Sequence, residues 1–185
     1  MKRALIFFLA FVLPAVAWAD EALWAKLKQG GNVLLVRHAS TVEGLGDPPG
    51  FKLGDCATQR NLSEAGREEA RRLGRLLKFR AISFSAVRSS QWCRCLETAR
   101  LAFGEAEPWP VLNSLHANPA GEAVLLKEVG ALAATAKPPR NLVLVTHNFN
   151  IQALTGISPS TAEVVVVRSE DGKLEVVGRI PLPVQ

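Results

Sequence analysis

NVLLVRHAS, residues Asn32–Ser40, decides how the rest of the chain is read. Val33–Val36 are four apolar residues in a row, and a short apolar run of this kind reads as a buried strand. Arg37 and His38 follow without a break, where that strand should end. Ligands of open α/β sheets bind at the carboxyl ends of the strands. A cation and an imidazole at this point therefore mark either a ligand site or merely a strand that surfaces.

A similar arrangement recurs further along. Asn141–Thr146, NLVLVT, is another buried strand, and His147 follows it at once. Ile82–Val87 reads as a strand, after which Ser89 or Ser90 is expected to cap a helix to about Phe103 with Arg94 one turn inside. Ser63 is placed to cap a helix to about Phe79 that turns Leu73, Leu76 and Leu77 inward. Residues 20–29 read as a short helix closed by Gly30-Gly31. Trp109–Leu112 reads as a third strand, and Pro119–Ala136 as mostly helical before Pro138-Pro139 breaks the chain. Val164–Val167 and Leu174–Ile180 are strands joined by the turn SEDGK. Thr41–Gln59, rich in Gly, Pro and Asp, is a long loop, and such loops in compact domains are often functional. No internal repeat, low-complexity tract or interdomain linker interrupts this order. It predicts an α/β fold, a three-layer α/β/α sandwich on a mostly parallel sheet with an antiparallel edge pair.

The 185 residues carry a formal charge of +5. Lys2 and Arg3, the apolar run Ala4–Leu13, Pro14 and then Ala17-Trp18-Ala19 have the layout of a cleaved secretory leader. Its apolar segment is shorter than the roughly 20 residues of a membrane span. Cleavage after Ala19 removes two cations and no acids, which leaves residues 20–185 as one domain with a charge of +3, periplasmic or secreted and large enough for a core of its own. This mildly basic balance suits an anionic small substrate and does not argue for nucleic acid. GREEARRLGR mixes both signs at helical spacing and reads as a solvated helix face. In an exported protein, Cys56, Cys93 and Cys95 predict one disulfide, Cys56–Cys93 or Cys56–Cys95, and one free thiol. The paired ligand spacing of a zinc site is absent. So are the Cys-x-x-x-x-x-Arg of a cysteine phosphatase and the Gly-x-x-x-x-Gly-Lys of a P-loop. A three-histidine metal site is disfavoured because two of the three histidines sit with arginines, which repel a cation.

If the strands run parallel, the ends that carry Arg37-His38, Ser89-Ser90 and His147 meet on one edge of the sheet. Two imidazoles, two guanidiniums and a helix N-terminus then converge. Arginine forks match phosphate oxygens, a helix N-terminus adds free N–H groups, and a neutral imidazole is a nucleophile toward phosphorus. The surrounding arginines disfavour protonating that imidazole.

LLVRHAST, DCATQRNLSEAGREEARRLG, SSQWCRCLETA and LVLVTHNFN, in this order, resemble the motifs of the histidine phosphatase superfamily, also called phosphoglycerate mutase-like. The resemblance covers nearly the whole chain after the leader. It implies a metal-independent, cofactor-free phosphatase in which His38 accepts the phosphoryl group, Arg37 and Arg94 bind its oxygens, and His147 completes the pocket. Gln59, Arg60 and Asn148 are the candidate substrate contacts. The chain also departs from the family pattern. Arg-His-Ala replaces the common Arg-His-Gly, Ser114 stands where mutase-like members have Glu, and Asn148 stands where acid-phosphatase-like members have an acid. Glu122 is the remaining candidate proton donor, and a leaving group of low pKa needs no strong one. The expected partner is a phosphorylated small molecule or an envelope glycan, among them heptose phosphates of lipopolysaccharide core, with no stable membrane span after cleavage. Two alternatives are a phosphate-binding protein without turnover and a phosphohistidine protein phosphatase.

Overall fold

The computed structural model describes residues 16–44 and 46–182, with side chains from Glu21 onward; residues 1–15 of the expected leader lie outside the described residues. In chain order the elements are α1 (Val16–Gln29), β1 (Val33–Arg37), α2 (Glu64–Phe79), β2 (Phe84–Ser89), α3 (Cys93–Phe103), β3 (Glu107–Pro108), α4 (Glu122–Ala133), β4 (Asn141–Thr146), α5 (Asn148–Thr155), β5 (Val164–Glu170) and β6 (Lys173–Ile180). They form one six-stranded sheet in the order β3-β2-β4-β1-β5-β6. β3, β2, β4 and β1 pair in parallel, and β5 and β6 add an antiparallel edge. Among the described residues no helix is long and apolar enough to cross a membrane.

The apolar runs are continuous because both faces of the central strands are covered. Leu34 and Val36 of β1, with Val143 and Val145 of β4, pack beneath Leu23, Trp24 and Leu27 of α1, Leu73 and Leu77 of α2, and Ala99 of α3. The alternate residues Val33, Leu35, Leu142 and Leu144 pack on the other face against Leu125 and Val129 of α4 and Ile151 of α5. This is the expected three-layer arrangement. Burying each such Val or Leu contributes roughly 1.5–3 kcal/mol.

Local chemistry sets the helix ends. Ser63 caps α2 as expected, its hydroxyl accepting from Gly66 N at 3.0 Å. For α3 the expectation is corrected: the N-cap position is Trp92 and the helix begins at Cys93, so Arg94 lies in its first turn. Ser89 and Ser90 are fully buried beneath that turn instead. Trp109–Leu112 is also corrected. The third strand is only Glu107–Pro108, and Pro110–Leu112 is a turn of 3-10 helix, because prolines at 108 and 110 remove the N–H donors that a longer ladder needs.

α2 approaches the turn after β1 so closely that only glycine fits. A Cβ on Gly66 would sit 1.8 Å from the backbone oxygen of Ser40. Gly66→Ala is expected to destabilise the fold by about 3 kcal/mol, read as a lower urea midpoint. Gly130, inside α4, has nothing within 4 Å of its would-be Cβ, so Gly130→Ala should stabilise by about 0.5–1 kcal/mol.

Candidate active site

The register places the ends of β1, β4 and β2 side by side, Arg37 opposite Thr146 and Ser89 opposite Val145. Backbone bonds continue past the ladders: His38 N donates to Thr146 O at 3.0 Å and Ser90 N to Val145 O at 2.9 Å. His38 and His147 are thereby brought together, their ring centroids 5.5 Å apart. Both are buried, as is Arg94, while Arg37 and Arg60 are half-buried.

The tautomer of His38 follows from one contact. Nδ1 lies 2.9 Å from the carbonyl oxygen of Ala39. A carbonyl only accepts, so Nδ1 carries the hydrogen and Nε2 keeps its lone pair. Burial, and after it the positive charges of Arg94, Arg37 and Arg60, push the His38 pKa down to about 3. Burial and then His38 and the same Arg94 and Arg37 charges hold His147 well below the ordinary histidine range. The imidazolium is the disfavoured form at both positions, so protonation moves to lower pH. The His38 and His147 ring resonances should stay flat in an NMR titration from pH 8 to 5. The unfolded chain takes up these protons below about pH 6.5. Stability is therefore fully present above that pH and falls as pH drops toward about 3.

His147 is oriented by Ser90, whose Oγ lies 2.8 Å from Nε2. Ser90 itself is set by Asn113 and by the N–H of Trp92. Cys95 packs beside the same ring, Sγ 3.5 Å from Nε2. Burial pushes its thiol up to about 12, so it remains protonated.

The turn after β1 is braced from two sides. Thr98 of α3 accepts from Ala39 N at 3.0 Å and donates to the carbonyl of Arg94 at 2.7 Å. Glu69 of α2 takes both the N–H and the hydroxyl of Ser40, at 2.9 and 2.8 Å. Glu69 belongs to the stretch expected to be a solvated face. Arg67, Glu68, Arg71 and Arg75 do form ion pairs there, but Glu69 turns in toward the site. Arg37 donates through NH1 to Pro159 O at 2.7 Å.

The Thr41–Gln59 loop folds over α3. Of the two disulfides left open, Cys56–Cys93 forms, and Cys95 is free and buried. Gln59 accepts from Cys93 N at 3.0 Å and donates to Lys52 O at 3.0 Å. Its amide therefore caps α3 instead of standing free for a ligand. Just before this helix start, Gln91 N goes to Asn113 Oδ1 and Trp92 N to Ser90 Oγ. The guanidiniums are candidate anion donors. Arg37, Arg60 and Arg94 each have a buried Nε without a partner among the described residues. Asn148 starts α5 and accepts from Ser158. Glu122 is exposed at the start of α4 and, with His116 and Phe149, lines a cavity of about 390 Å³ that none of the four central residues borders.

Sequence reading did not single out Asp47. It pairs with Arg94 at 2.7 Å, the two side chains only 8% and 6% exposed. Burial alone would raise its carboxyl, but hydrogen bonds from Arg94, Trp92 and the Arg60 backbone outweigh that and hold it below the usual carboxylate range.

Residues 33–117 match the family model of the histidine phosphatase superfamily (branch 1). The class of enzyme that this family model describes is the phosphatases. Solved structures agree on the fold. The protein of open reading frame Rv3214 from Mycobacterium tuberculosis is 20% identical with a TM-score of 0.61, over 78% of this chain and 94% of its own. The protein histidine phosphatase SixA, complexed with tungstate, is 18% identical with a TM-score of 0.58, over 81% and 96%. Phosphoglycerate mutase from Bacillus anthracis is 17% identical with a TM-score of 0.58, over 82% and 93%. No curated protein matches the chain.

Proposed function

We propose that this protein is an exported, metal-independent phosphomonoesterase that works through a phosphohistidine on His38. The observation that carries this reading is the fixed tautomer of His38, whose free Nε2 lies in the field of three arginines. Arg37 and Arg94, with Arg60 beside them, hold the phosphoryl oxygens. Nε2 attacks phosphorus in line, the bond from phosphorus to the leaving oxygen breaks, and the leaving group departs with the electron pair. His147 and the guanidiniums stabilise the charge that builds on the phosphoryl oxygens. Water then attacks the phosphohistidine, which releases inorganic phosphate and restores the imidazole. The tungstate bound by SixA is an oxyanion of related shape, and the disulfide supports an oxidising compartment. Envelope sugar phosphates, heptose phosphates of lipopolysaccharide core among them, are the proposed substrates.

A second reading, a phosphohistidine protein phosphatase, is favoured by the acid chemistry. Asp47 is held ionised and Glu122 stands apart, so a leaving group that needs little protonation suits the site. The deciding assay is phosphate release from an activated aryl phosphate with chelator present. Turnover supports the phosphatase reading. A folded protein that binds vanadate but turns nothing over between pH 4 and 8 is instead a phosphate-binding protein. Leaving-group dependence and cell fractionation then separate the two enzymatic readings.

A further inference from the structure

We propose that Asp47 is the positioning residue of the phosphoryl clamp, acting on the transferred group through Arg94. The inference rests on the phosphatase reading above and deepens it. Asp47 comes from the loop after β1, far in sequence from Arg94, yet its carboxylate joins both walls of the site. Oδ1 accepts from Arg94 NH1 at 2.7 Å and from Arg60 N at 3.0 Å, and Oδ2 accepts from the Trp92 indole at 2.9 Å. Those three donors bind the loop and the start of α3 to one anion.

The carboxylate occupies NH1 and leaves Nε of Arg94 buried and without a partner among the described residues. One edge of the fork is fixed and another donor is free for an oxyanion. The charge balance fits as well. Arg37, Arg60 and Arg94 act on His38. The carboxylates that act on these guanidiniums are Asp47 and, on Arg37, the buried Glu163, which is itself paired with Arg179, so the clamp keeps an excess of positive charge suited to a phosphate monoester. Arg60 and Arg94 also repel each other, and Asp47 offsets that repulsion for Arg60.

The test compares wild type, Asp47→Asn, Arg94→Gln and the double variant, each with its disulfide intact and its fold checked by circular dichroism. Vanadate affinity and aryl phosphate kinetics are measured for all four. Asp47→Asn should weaken vanadate binding and raise KM by about tenfold or more. A merely structural role would lower the active fraction, and so kcat, while leaving KM unchanged. In the Arg94→Gln background the further change Asp47→Asn should alter vanadate affinity by less than about twofold, because the two act as one unit. Asp47→Asn with wild-type KM and vanadate affinity overturns this inference alone. So does tighter vanadate binding, which would make Asp47 a competitor, or an undiminished effect without Arg94. A wild type that neither binds vanadate nor hydrolyses the ester overturns the phosphatase reading together with it.

Discussion

Replacing the proposed nucleophile, His38→Ala, is expected to lower aryl phosphate turnover by about 10⁴-fold or more. The loss should be chemical and not structural. The turn that carries His38 is held through its backbone and neighbours: His38 N to Thr146 O, Ala39 N to Thr98, and Ser40 to Glu69. Among the described residues the ring itself makes one short hydrogen bond, to Ala39 O, worth about 1 kcal/mol. The variant should therefore fold and still bind vanadate through the arginines. Wild type quenched during turnover should carry an acid-labile, base-stable phosphoryl group that the variant lacks. Turnover that survives in His38→Ala would sink the mechanism.

Arg94→Ala should produce two losses of different origin. The first is catalytic. With one of the clamp arginines gone, kcat/KM should fall by about 10²–10³-fold, the range for removing a transition-state charge donor. The second is in stability. Asp47 would be left charged and nearly buried with its main partner missing, and breaking a buried pair from one side costs about 3 kcal/mol. Arg60 N and the Trp92 indole still donate to it, which keeps the figure at the low end of such cases. The two losses separate in Arg94→Ala/Asp47→Ala. Removing both charges should return most of the urea midpoint but none of the activity. A single variant as stable as wild type would mean that the ion pair contributes nothing net to the fold.

The strand-end chemistry was legible because it is local. An apolar run buried on both faces is visible in five or six consecutive residues, and the group that follows it lies at the sheet's edge whatever the loops do. Parallel pairing of β1, β4 and β2 then brings His38, His147 and the start of α3 together. The charged stretch of α2 marks where this reasoning stops. Glu68 and Glu69 are neighbours of the same type, yet Glu68 pairs with Arg75 on the surface while Glu69 holds Ser40. Their difference is a rotation of about 100° around the helix, and it acquires meaning only once the helix is docked.

By itself the sequence determined the layers, the residues at the three strand ends and most of the helices and strands, though not α5 or the bounds of β3, since hydrophobic period and local turn chemistry act over a few residues. Tertiary structure alone decided the partners that lie far apart in the chain. Cys56 took Cys93 and not Cys95, Gln59 became the cap of α3, and Asp47 became the counter-charge of Arg94. All three belong to a loop with no apolar period to register it. Its path is set by the disulfide, the ion pair and the cap together, and each of these can form only after the sheet has placed the start of α3 beneath it.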